Sequence, residues 1–166
     1  MKQKFKIAII GAGWFGCHIA SELLKIGFEI KIFERENDIF NGASGNSQNR
    51  LHLGYHYPRS HITREQSKKG FKLFKKNYPN FTKKIKNNLY AISNSTESLI
   101  DFNTYLAVIK NSKLKFTKLN LNLFNIKNIE GLIKCDEEYL DIPIAKNYFK
   151  QKLKNNIYFN YDVKKI

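Results

Sequence analysis

The chain has 166 residues, with 29 Lys and Arg against 14 Asp and Glu, and a formal net charge of +15. This length is close to the usual size of one domain. The content of 42% hydrophobic residues excludes a disordered chain. The sequence has no apolar run of about eighteen residues, which excludes a transmembrane helix. The two cysteines exclude a disulfide framework, and no signal-peptide cleavage site follows the basic Met1–Lys6 segment, so we expect a cytoplasmic protein.

The first 34 residues predict a strand–helix–strand unit. Phe5–Ile10 is a short apolar run that predicts a buried strand. Trp14–Ile26 predicts a helix that ends with Gly27 in the C-cap position. Phe28–Phe33 alternates apolar and polar residues and predicts a second strand that ends at Glu34. This order predicts a parallel sheet with a right-handed crossover and an α/β fold.

The turn between the first strand and the first helix carries the pattern Gly-x-Gly-x-x-Gly, formed by Gly11, Gly13 and Gly16. The first glycine allows a tight turn, the second allows the backbone to approach a pyrophosphate, and the third allows close packing of helix on strand. The free N–H groups at a helix N-terminus also favour phosphate. The pattern predicts a dinucleotide site that includes Trp14 and Phe15, against the alternative of a glycine-rich turn without a ligand.

An acidic residue ends the second predicted strand. Glu34 stands eighteen positions after Gly16, where a carboxylate accepts hydrogen bonds from the ribose hydroxyls of a dinucleotide. Its charge disfavours a 2′-phosphate, although the adjacent Arg35 weakens this preference. NAD and FAD both contain an ADP half, so this pattern alone does not distinguish them.

The segment Asn41–Pro58 is rich in Gly, Asn, Ser and His, which predicts a long ordered loop or a short helix between loops. Such segments inside a compact domain are usually functional. Its first half offers backbone N–H groups and small polar side chains suited to a second phosphate contact, from Ser44, Gly45, Asn46 and Ser47. Its second half and the residue that follows carry side chains typical of a redox pocket, namely His52, Tyr55, His56, Tyr57 and Arg59.

The densest group of lysines lies around a predicted helix over Ile62–Asn77, which Pro79 stops. Phe71 and Phe74 are one helical turn apart, so we interpret the segment as an amphipathic helix with a solvated lysine face. No nucleic-acid recognition motif accompanies it. We therefore expect a general affinity for polyanions at low salt and no specific nucleic-acid partner.

The remaining sequence predicts further strands and two more helices. Asn88–Ser93 is typical of a strand, and Thr96–Lys110 of an amphipathic helix capped by Asn94 or Ser95. The other predicted elements are strands over Lys113–Leu119, Gly131–Cys135 and Ile157–Tyr161 and a helix over Ile142–Leu153.

Taken together, these segments resemble the FAD-dependent oxidoreductases of the D-amino-acid-oxidase (DAO) type. The glycine pattern through Glu34 looks like the ADP-binding unit of that family, and Gly42–Ser47 resembles its second flavin-contacting stretch. Leu51–Pro58 is similar to a segment at the flavin in the subgroup that oxidises 2-hydroxy acids such as 2-hydroxyglutarate. Glu138–Pro143 resembles the segment that returns from the substrate domain to the nucleotide domain.

The resemblance implies an α/β fold with a Rossmann-like FAD/NAD(P)-binding βαβ domain and an inserted α+β substrate domain. Residues 1–77 would be the first part of the FAD-binding domain, 78–141 the inserted portion, and 142–166 an incomplete return. Family members extend well beyond this length and hold the flavin with a further glycine-rich turn. We therefore expect the chain to be the N-terminal portion of such an oxidoreductase, truncated at its C-terminus.

The same resemblance implies FAD as the cofactor and a small amino or 2-hydroxy acid as the substrate. Hydride would pass to the flavin while a base takes the hydroxyl or ammonium proton. His52 and His56 are both suited to be that base, and His52 is also a candidate flavin contact. Tyr57 and Arg59 are candidate substrate residues, Arg59 through a carboxylate, although aromatic packing and a surface arginine explain them equally well. We expect no metal site.

Two alternatives stay open at this point. A flavin-dependent mutase resembling UDP-galactopyranose mutase also begins with a similar glycine turn, and Gly54–His56 would supply its later Gly-x-His element. Against it, Asn41–Ser44 replaces the expected Gly-Gly-Asn run. The second alternative is a nucleotide-binding fragment without catalytic activity.

Overall fold

The computed structural model describes residues 5–165, so Ile166 and the first four residues of the basic segment Met1–Lys6 lie outside the described range. The chain forms two compact units, one from Met1–Asn49 with Asp141–Ile166 and one from Arg50–Leu140. In chain order the elements are β1 (Lys6–Ile10), α1 (Trp14–Lys25), β2 (Glu29–Glu34), β3 (Arg50–Leu51), α2 (His61–Asn77), β4 (Thr82–Lys84), β5 (Leu89–Ser93), α3 (Phe102–Asn111), β6 (Phe116–Lys118), β7 (Ile129–Cys135), β8 (Glu138–Leu140), α4 (Ile142–Lys152) and β9 (Ile157–Phe159).

The first unit contains a parallel sheet with the strand order β1-β2-β9. The central strand is β2, and its residues Ile30 and Ile32 are almost completely buried. The predicted strand–helix–strand unit and parallel sheet are confirmed. The expectation of a buried first strand is wrong: β1 pairs only with β2 among the described residues, and Ile10 is 53% exposed.

Helix α1 packs closely on the first strand through small residues. A Cβ atom built on Gly16 would lie 2.1 Å from the carbonyl oxygen of Gly11, so no larger residue fits there. Ala20 and Cys17 are fully buried in the same helix. The helix ends at Lys25, one residue earlier than predicted, and Ile26 takes the C-cap position that was predicted for Gly27. Gly27 follows with a φ of +93°, and its N–H donates to the carbonyl of Leu24.

The second unit contains two antiparallel sheets, with the strand orders β3-β8-β4 and β5-β7-β6. In the core of this unit, side chains of α3 pack against β7 and against the loop before α2. The core residues are Tyr55, Phe102, Tyr105, Ile109, Leu114, Ile133 and Cys135. A Cβ atom on Gly131 would overlap the ring of Phe102, which shows how closely α3 lies on β7.

Helix α3 begins six residues later than predicted. Asp101 caps it by accepting the Thr104 N–H at 2.9 Å, and Asp is a strong N-cap residue. The predicted cap Ser95 instead closes a turn, in which the Ser98 N–H donates to the Ser95 carbonyl at 2.9 Å. The segment over 41–58 contains the short strand β3 and turns rather than a helix.

The unit boundaries differ from the predicted domain boundaries at 77/78 and 141/142. Helix α2 belongs to the second unit, whose limits are at 49/50 and 140/141. The physical reason is that Arg64, almost buried, donates from Nε to Ser112 Oγ at 2.9 Å, and Lys68 Nζ donates to the Ser112 carbonyl at 3.0 Å. The assignment of FAD and substrate binding to separate domains stays a prediction.

Within residues 5–165 no helix is both long enough and apolar enough to cross a bilayer.

Replacing Gly16 by Ala tests the contact between α1 and the glycine turn. We expect Gly16→Ala to lower the free energy of unfolding by about 1–3 kcal/mol, because the new methyl group meets a backbone carbonyl that cannot move cheaply. Gly70→Ala is the matched control in α2, where nothing lies within 4 Å of the added Cβ, and we expect a gain of about 0.5–1 kcal/mol. Urea unfolding followed by circular dichroism measures both, and equal effects would contradict the packing.

The two buried thiols predict a loss of stability at alkaline pH. Burial, with a smaller effect of the Glu34 charge, raises the pKa of Cys17 to about 12. Burial, with a smaller effect of Glu137, raises the pKa of Cys135 to about 12. Unfolded thiols titrate near roughly 8.5, so between about pH 8.5 and 12 the unfolded chain releases protons that the folded chain retains. Stability therefore falls as the pH rises through this window.

Urea unfolding at a series of pH values measures this loss. The variant with Cys17→Ala and Cys135→Ala should lose less stability between pH 8.5 and 12 than the parent chain, because both shifted groups are gone. If the free energy of unfolding falls equally with pH in the two proteins, the thiols do not contribute to the alkaline loss of stability.

Candidate functional site

The glycine turn leaves the N-terminus of α1 open. Gly11 has a φ of +94°, a conformation that favours glycine, and its N–H donates to the Phe33 carbonyl at 2.8 Å. Gly13 occupies the N-cap position with an extended backbone and provides no side-chain cap. The N–H of Trp14 is bound by Ser44, and the N–H groups that follow it in the first turn of α1 are presented over a turn without side chains, which suits an anionic ligand.

Ser44 reaches this helix terminus from the following loop. Its Oγ accepts the Trp14 N–H at 2.9 Å and would lie 3.2 Å from a Cβ on Gly13. The loop is held in place because the Phe40 N–H donates to the Ala12 carbonyl at 3.1 Å. The structure thus brings the two predicted phosphate-contacting segments together, over a sequence separation of 30 residues.

Glu34 is buried at the end of β2 and accepts two backbone hydrogen bonds. Its Oε2 accepts the Ala12 N–H at 2.6 Å, and its Oε1 accepts the Glu36 N–H at 3.0 Å. The sequence analysis predicted ribose hydroxyls as donors and missed this backbone role. Each carboxylate oxygen has a further acceptor lone pair, so the ribose contact stays a prediction.

These groups line a cavity of about 370 Å³ in the first unit. The segment after β9 closes one side, because the Tyr161 N–H donates to the Glu34 carbonyl at 2.9 Å. Sequence analysis missed this segment, which has no motif of its own. The lining comprises Ile10, Gly11, Gly13, Phe33, Glu34, Arg35, Glu36, Phe40, Gly42, Ala43, Ser44, Tyr161, Asp162 and Val163.

Other predicted cofactor residues lie outside this lining. The Trp14 ring packs against Phe149 at 5.3 Å, and Phe15 is 78% exposed. Asn46 binds its own loop, since Nδ2 donates to the Asn41 carbonyl at 2.7 Å. Gly16, Gly45 and Ser47 are likewise outside the lining.

Glycine at position 45 has a structural explanation. A Cβ on Gly45 would lie 2.1 Å from the Phe40 carbonyl oxygen. The glycine therefore allows the loop to turn back closely on itself before it presents Ser44. Ser47 also interacts within the loop, where its Oγ donates to Asn49 Oδ1 at 2.8 Å.

Three predicted active-site residues lie together in the second unit. The rings of His52 and His56 stack with centroids 5.3 Å apart, and the Tyr57 ring contacts both edge-on at 5.8 and 5.3 Å. The His52 side chain is 28% exposed. Arg59 is exposed, whereas Arg50, which the sequence analysis did not single out, lies over the Tyr90 ring at 5.8 Å.

A buried carboxylate supports this group of rings. Glu137 is 1% exposed and accepts the Leu53 N–H and the Tyr90 hydroxyl, both at 2.7 Å. Its Oε1 lies 3.8 Å from His52 Nδ1, and its Oε2 lies 4.0 Å from Arg50 Nη1. Burial opposes ionisation of Glu137, but the hydrogen bonds to the carboxylate and the adjacent imidazole outweigh it and lower the pKa.

Sequence analysis missed Glu137 because nothing distinguishes it from its acidic neighbours Asp136 and Glu138. It comes 85 residues after His52, and only the pairing of β8 with β3 brings the two together. Residues 5–165 contain no group of three His, Cys, Asp or Glu side chains placed to hold a metal ion.

Comparison with known proteins decides the family. The profile of a family described as FAD dependent oxidoreductase (DAO) matches residues 6–103. The chain belongs to this family. The resemblance to the DAO type is therefore confirmed. The prediction of FAD as the cofactor is confirmed as well, because the family is described as FAD dependent.

Individual relatives agree with the family. The FAD-dependent monooxygenase FPY4 of Fusarium mangiferae is 41% identical over 148 residues, which are 89% of this chain and 40% of the relative. L-alpha-glycerophosphate oxidase from Mycoplasma pneumoniae, solved with FAD bound, matches with a TM-score of 0.72 and 21% identity over 100% of this chain and 47% of that structure. L-proline dehydrogenase from P. horikoshii matches with a TM-score of 0.59 and 18% identity over 96% and 44%.

These matches confirm the predicted α/β fold class. The DAO chain spans about two fifths of the length of its curated relative, and under half of each solved structure.

Replacing Ser44 by Ala tests the contact between the loop and α1. We expect Ser44→Ala to lower the free energy of unfolding by about 1 kcal/mol, because the Trp14 N–H loses its acceptor at the helix N-terminus. Ser47→Ala is the control from the same loop, with an expected change within about 0.5 kcal/mol because Ser47 is exposed. Urea unfolding compares the two, and equal losses would mean that Ser44 does not act as a cap.

Proposed function

We propose that the chain is the FAD-binding portion of an oxidoreductase that oxidises a small amino or 2-hydroxy acid. The observation that carries the proposal is the open N-terminus of α1 above Gly13, beside a cavity that also contains Glu34. Family membership makes FAD the ligand that this arrangement would hold. The two free cysteines suit a reducing, cytoplasmic location for this chemistry.

The first unit would hold the ADP half of FAD. The N–H groups at the start of α1 and the backbone of Gly13 are suited to the pyrophosphate. The free lone pairs of Glu34 are suited to the ribose hydroxyls, and its charge favours a dinucleotide without a 2′-phosphate. Arg35 is exposed and pairs with Glu36 at 3.2 Å, so we assign it a peripheral contact.

The second unit would handle the substrate proton. When bound, FAD supplies the hydride acceptor. His52 would take the hydroxyl or ammonium proton, with His56 as the alternative base stacked beside it. Tyr57 contacts both rings and would orient them. A small amino or 2-hydroxy acid carries a carboxylate, and the sequence predicts Arg59 as the residue that binds it. Arg50 is a second candidate, because Arg50 and His52 each lie within 4.0 Å of a carboxylate oxygen of Glu137.

Monooxygenation is a second candidate function. The observation in its favour is the 41% identity, over 89% of this chain, to a protein named as an FAD-dependent monooxygenase. In that reaction one atom of dioxygen enters the product, whereas an oxidase removes two electrons from the substrate and adds no oxygen. Product analysis under ¹⁸O₂ separates the two.

Titration with FAD tests the binding site. We expect the chain to bind FAD and Gly13→Val to weaken binding at least roughly tenfold, because side-chain atoms then cover the backbone that faces the pyrophosphate. Gly70→Ala, on an exposed face of the second unit, should bind like the parent chain. Quenching of FAD fluorescence measures the affinities, with circular dichroism to show that each variant is folded.

The flavin spectrum of the loaded chain then distinguishes the functions. Anaerobic bleaching by a 2-hydroxy or amino acid supports the oxidase. Bleaching only by an external reductant supports the monooxygenase if ¹⁸O enters the product, and the mutase if a nucleotide sugar is turned over. A folded chain that binds no FAD would overturn the proposed function.

A further inference from the structure

One buried nitrogen in the second unit lacks a hydrogen-bond partner. His52 Nδ1 is inaccessible to solvent and makes no hydrogen bond among the residues that the structure describes. Glu137 Oε1 lies 3.8 Å from it, which is about 0.6 Å beyond the usual range of an N–H···O hydrogen bond. A buried polar atom without a partner costs free energy, so a small rotation that closes this gap is favoured.

The carboxylate that faces this nitrogen only accepts hydrogen bonds. Glu137 is buried, and its Oε1 accepts the Leu53 N–H while its Oε2 accepts the Tyr90 hydroxyl. These two donors, with the adjacent imidazole, lower its pKa against the effect of burial. An ionised carboxylate has no proton to donate, and each of its oxygens has lone pairs left for a second donor.

We propose that Glu137 is the positioning residue of His52. Its carboxylate accepts a hydrogen bond from Nδ1–H of His52, so the neutral imidazole carries its proton on Nδ1 and Nε2 is left as the proton acceptor. This inference rests on the proposed function, in which His52 is the base. The reasoning is that a neutral imidazole carries one proton, and only the Nδ1–H form places a donor against the acceptor-only carboxylate.

The arrangement satisfies the requirements of the proposed reaction. The proton of the substrate hydroxyl or ammonium group would move to Nε2, and FAD, when bound, would supply the acceptor for the hydride that leaves the substrate carbon. The substrate becomes a keto or imino acid, and His52 becomes an imidazolium ion. The negative charge of Glu137 then lies beside that positive charge, as the carboxylate does in a carboxylate–histidine pair.

Other groups around His52 do not replace this role. The rings of His56 and Tyr57 contact the faces and edge of the imidazole. Arg50 and the Tyr90 hydroxyl lie against Oε2 of the carboxylate, whereas His52 lies against Oε1. Glu137 is therefore the acceptor available to Nδ1.

Imidazole ¹⁵N spectroscopy of the whole chain tests the proposal without FAD or substrate. Two-bond ¹H–¹⁵N spectra, recorded at a pH where the imidazoles are neutral, distinguish a proton on Nδ1 from one on Nε2. We expect the Nδ1–H form for His52 in the parent chain, with His18 and His61 as internal references. An Nε2–H form for His52 in the folded parent chain overturns the proposal, whatever the variants do.

Three variants separate positioning from a structural role. Glu137→Ala removes the acceptor, and we expect His52 to change to predominantly Nε2–H. Glu137→Gln keeps a carbonyl oxygen toward the Leu53 N–H and should retain the Nδ1–H form. Tyr90→Phe removes the other hydrogen bond of Glu137 but leaves the carboxylate, so it should also retain Nδ1–H.

Each outcome of these variants decides the question. A change in Tyr90→Phe equal to that in Glu137→Ala would show a general structural effect and overturn the proposal, as would an Nδ1–H form that persists in a folded Glu137→Ala. The ¹⁵N spectra are recorded without FAD, so the protonation result for His52 is independent of the flavin experiment. A failure of the proposed function is recognised separately, because FAD then does not bind or its spectrum is not bleached by a 2-hydroxy or amino acid.

Discussion

The close approach of α1 to the first strand is the constraint on which the first unit depends. Gly16 lies against the Gly11 carbonyl with no room for a side chain, and this contact places the helix N-terminus above the turn. The Glu34 carboxylate then holds the turn through the Ala12 N–H, and Ser44 holds it from the next loop. A cavity beside the helix N-terminus results because Gly11 and Gly13 have no side chains and because the side chains of Glu34 and Ser44 are bound to backbone N–H groups.

A buried carboxylate has a similar architectural role in the second unit. Glu137 joins the Leu53 backbone to Tyr90 and lies beside His52. Glu34 accepts two backbone N–H groups, and Glu137 accepts one backbone N–H and one hydroxyl. These hydrogen bonds make burial of each carboxylate less costly than burial of an unpaired charge. Glu34 orders a loop suited to a dinucleotide, and Glu137 orders a loop that carries histidines.

The sequence predicted elements whose signals are local. The glycine pattern, the helical period of α1 and the alternation in β2 each lie within a few residues, and the βαβ unit and the parallel sheet were predicted correctly from them. The FAD family was predicted only with the resemblance of the later segments, Gly42–Ser47 and Leu51–Pro58. Helix α3 was predicted to start too early because Ser95 and Asp101 are both acceptable caps, and only packing of Phe102 against Gly131 selects the second. The short strands β4 and β8 lack a periodic pattern and depend on each other.

The sequence by itself determined the glycine turn and the open helix terminus, and with them the prediction of a dinucleotide site, because glycine conformations and helix termini are properties of neighbouring residues. Only the tertiary structure decided which side chains assemble around that backbone. Tyr161 lines one side of the cavity, and Glu137, 85 residues after His52, lies beside both His52 and Arg50. Strand pairing and the need of buried polar groups for hydrogen-bond partners bring these residues together. No local pattern in the sequence predicts either of them.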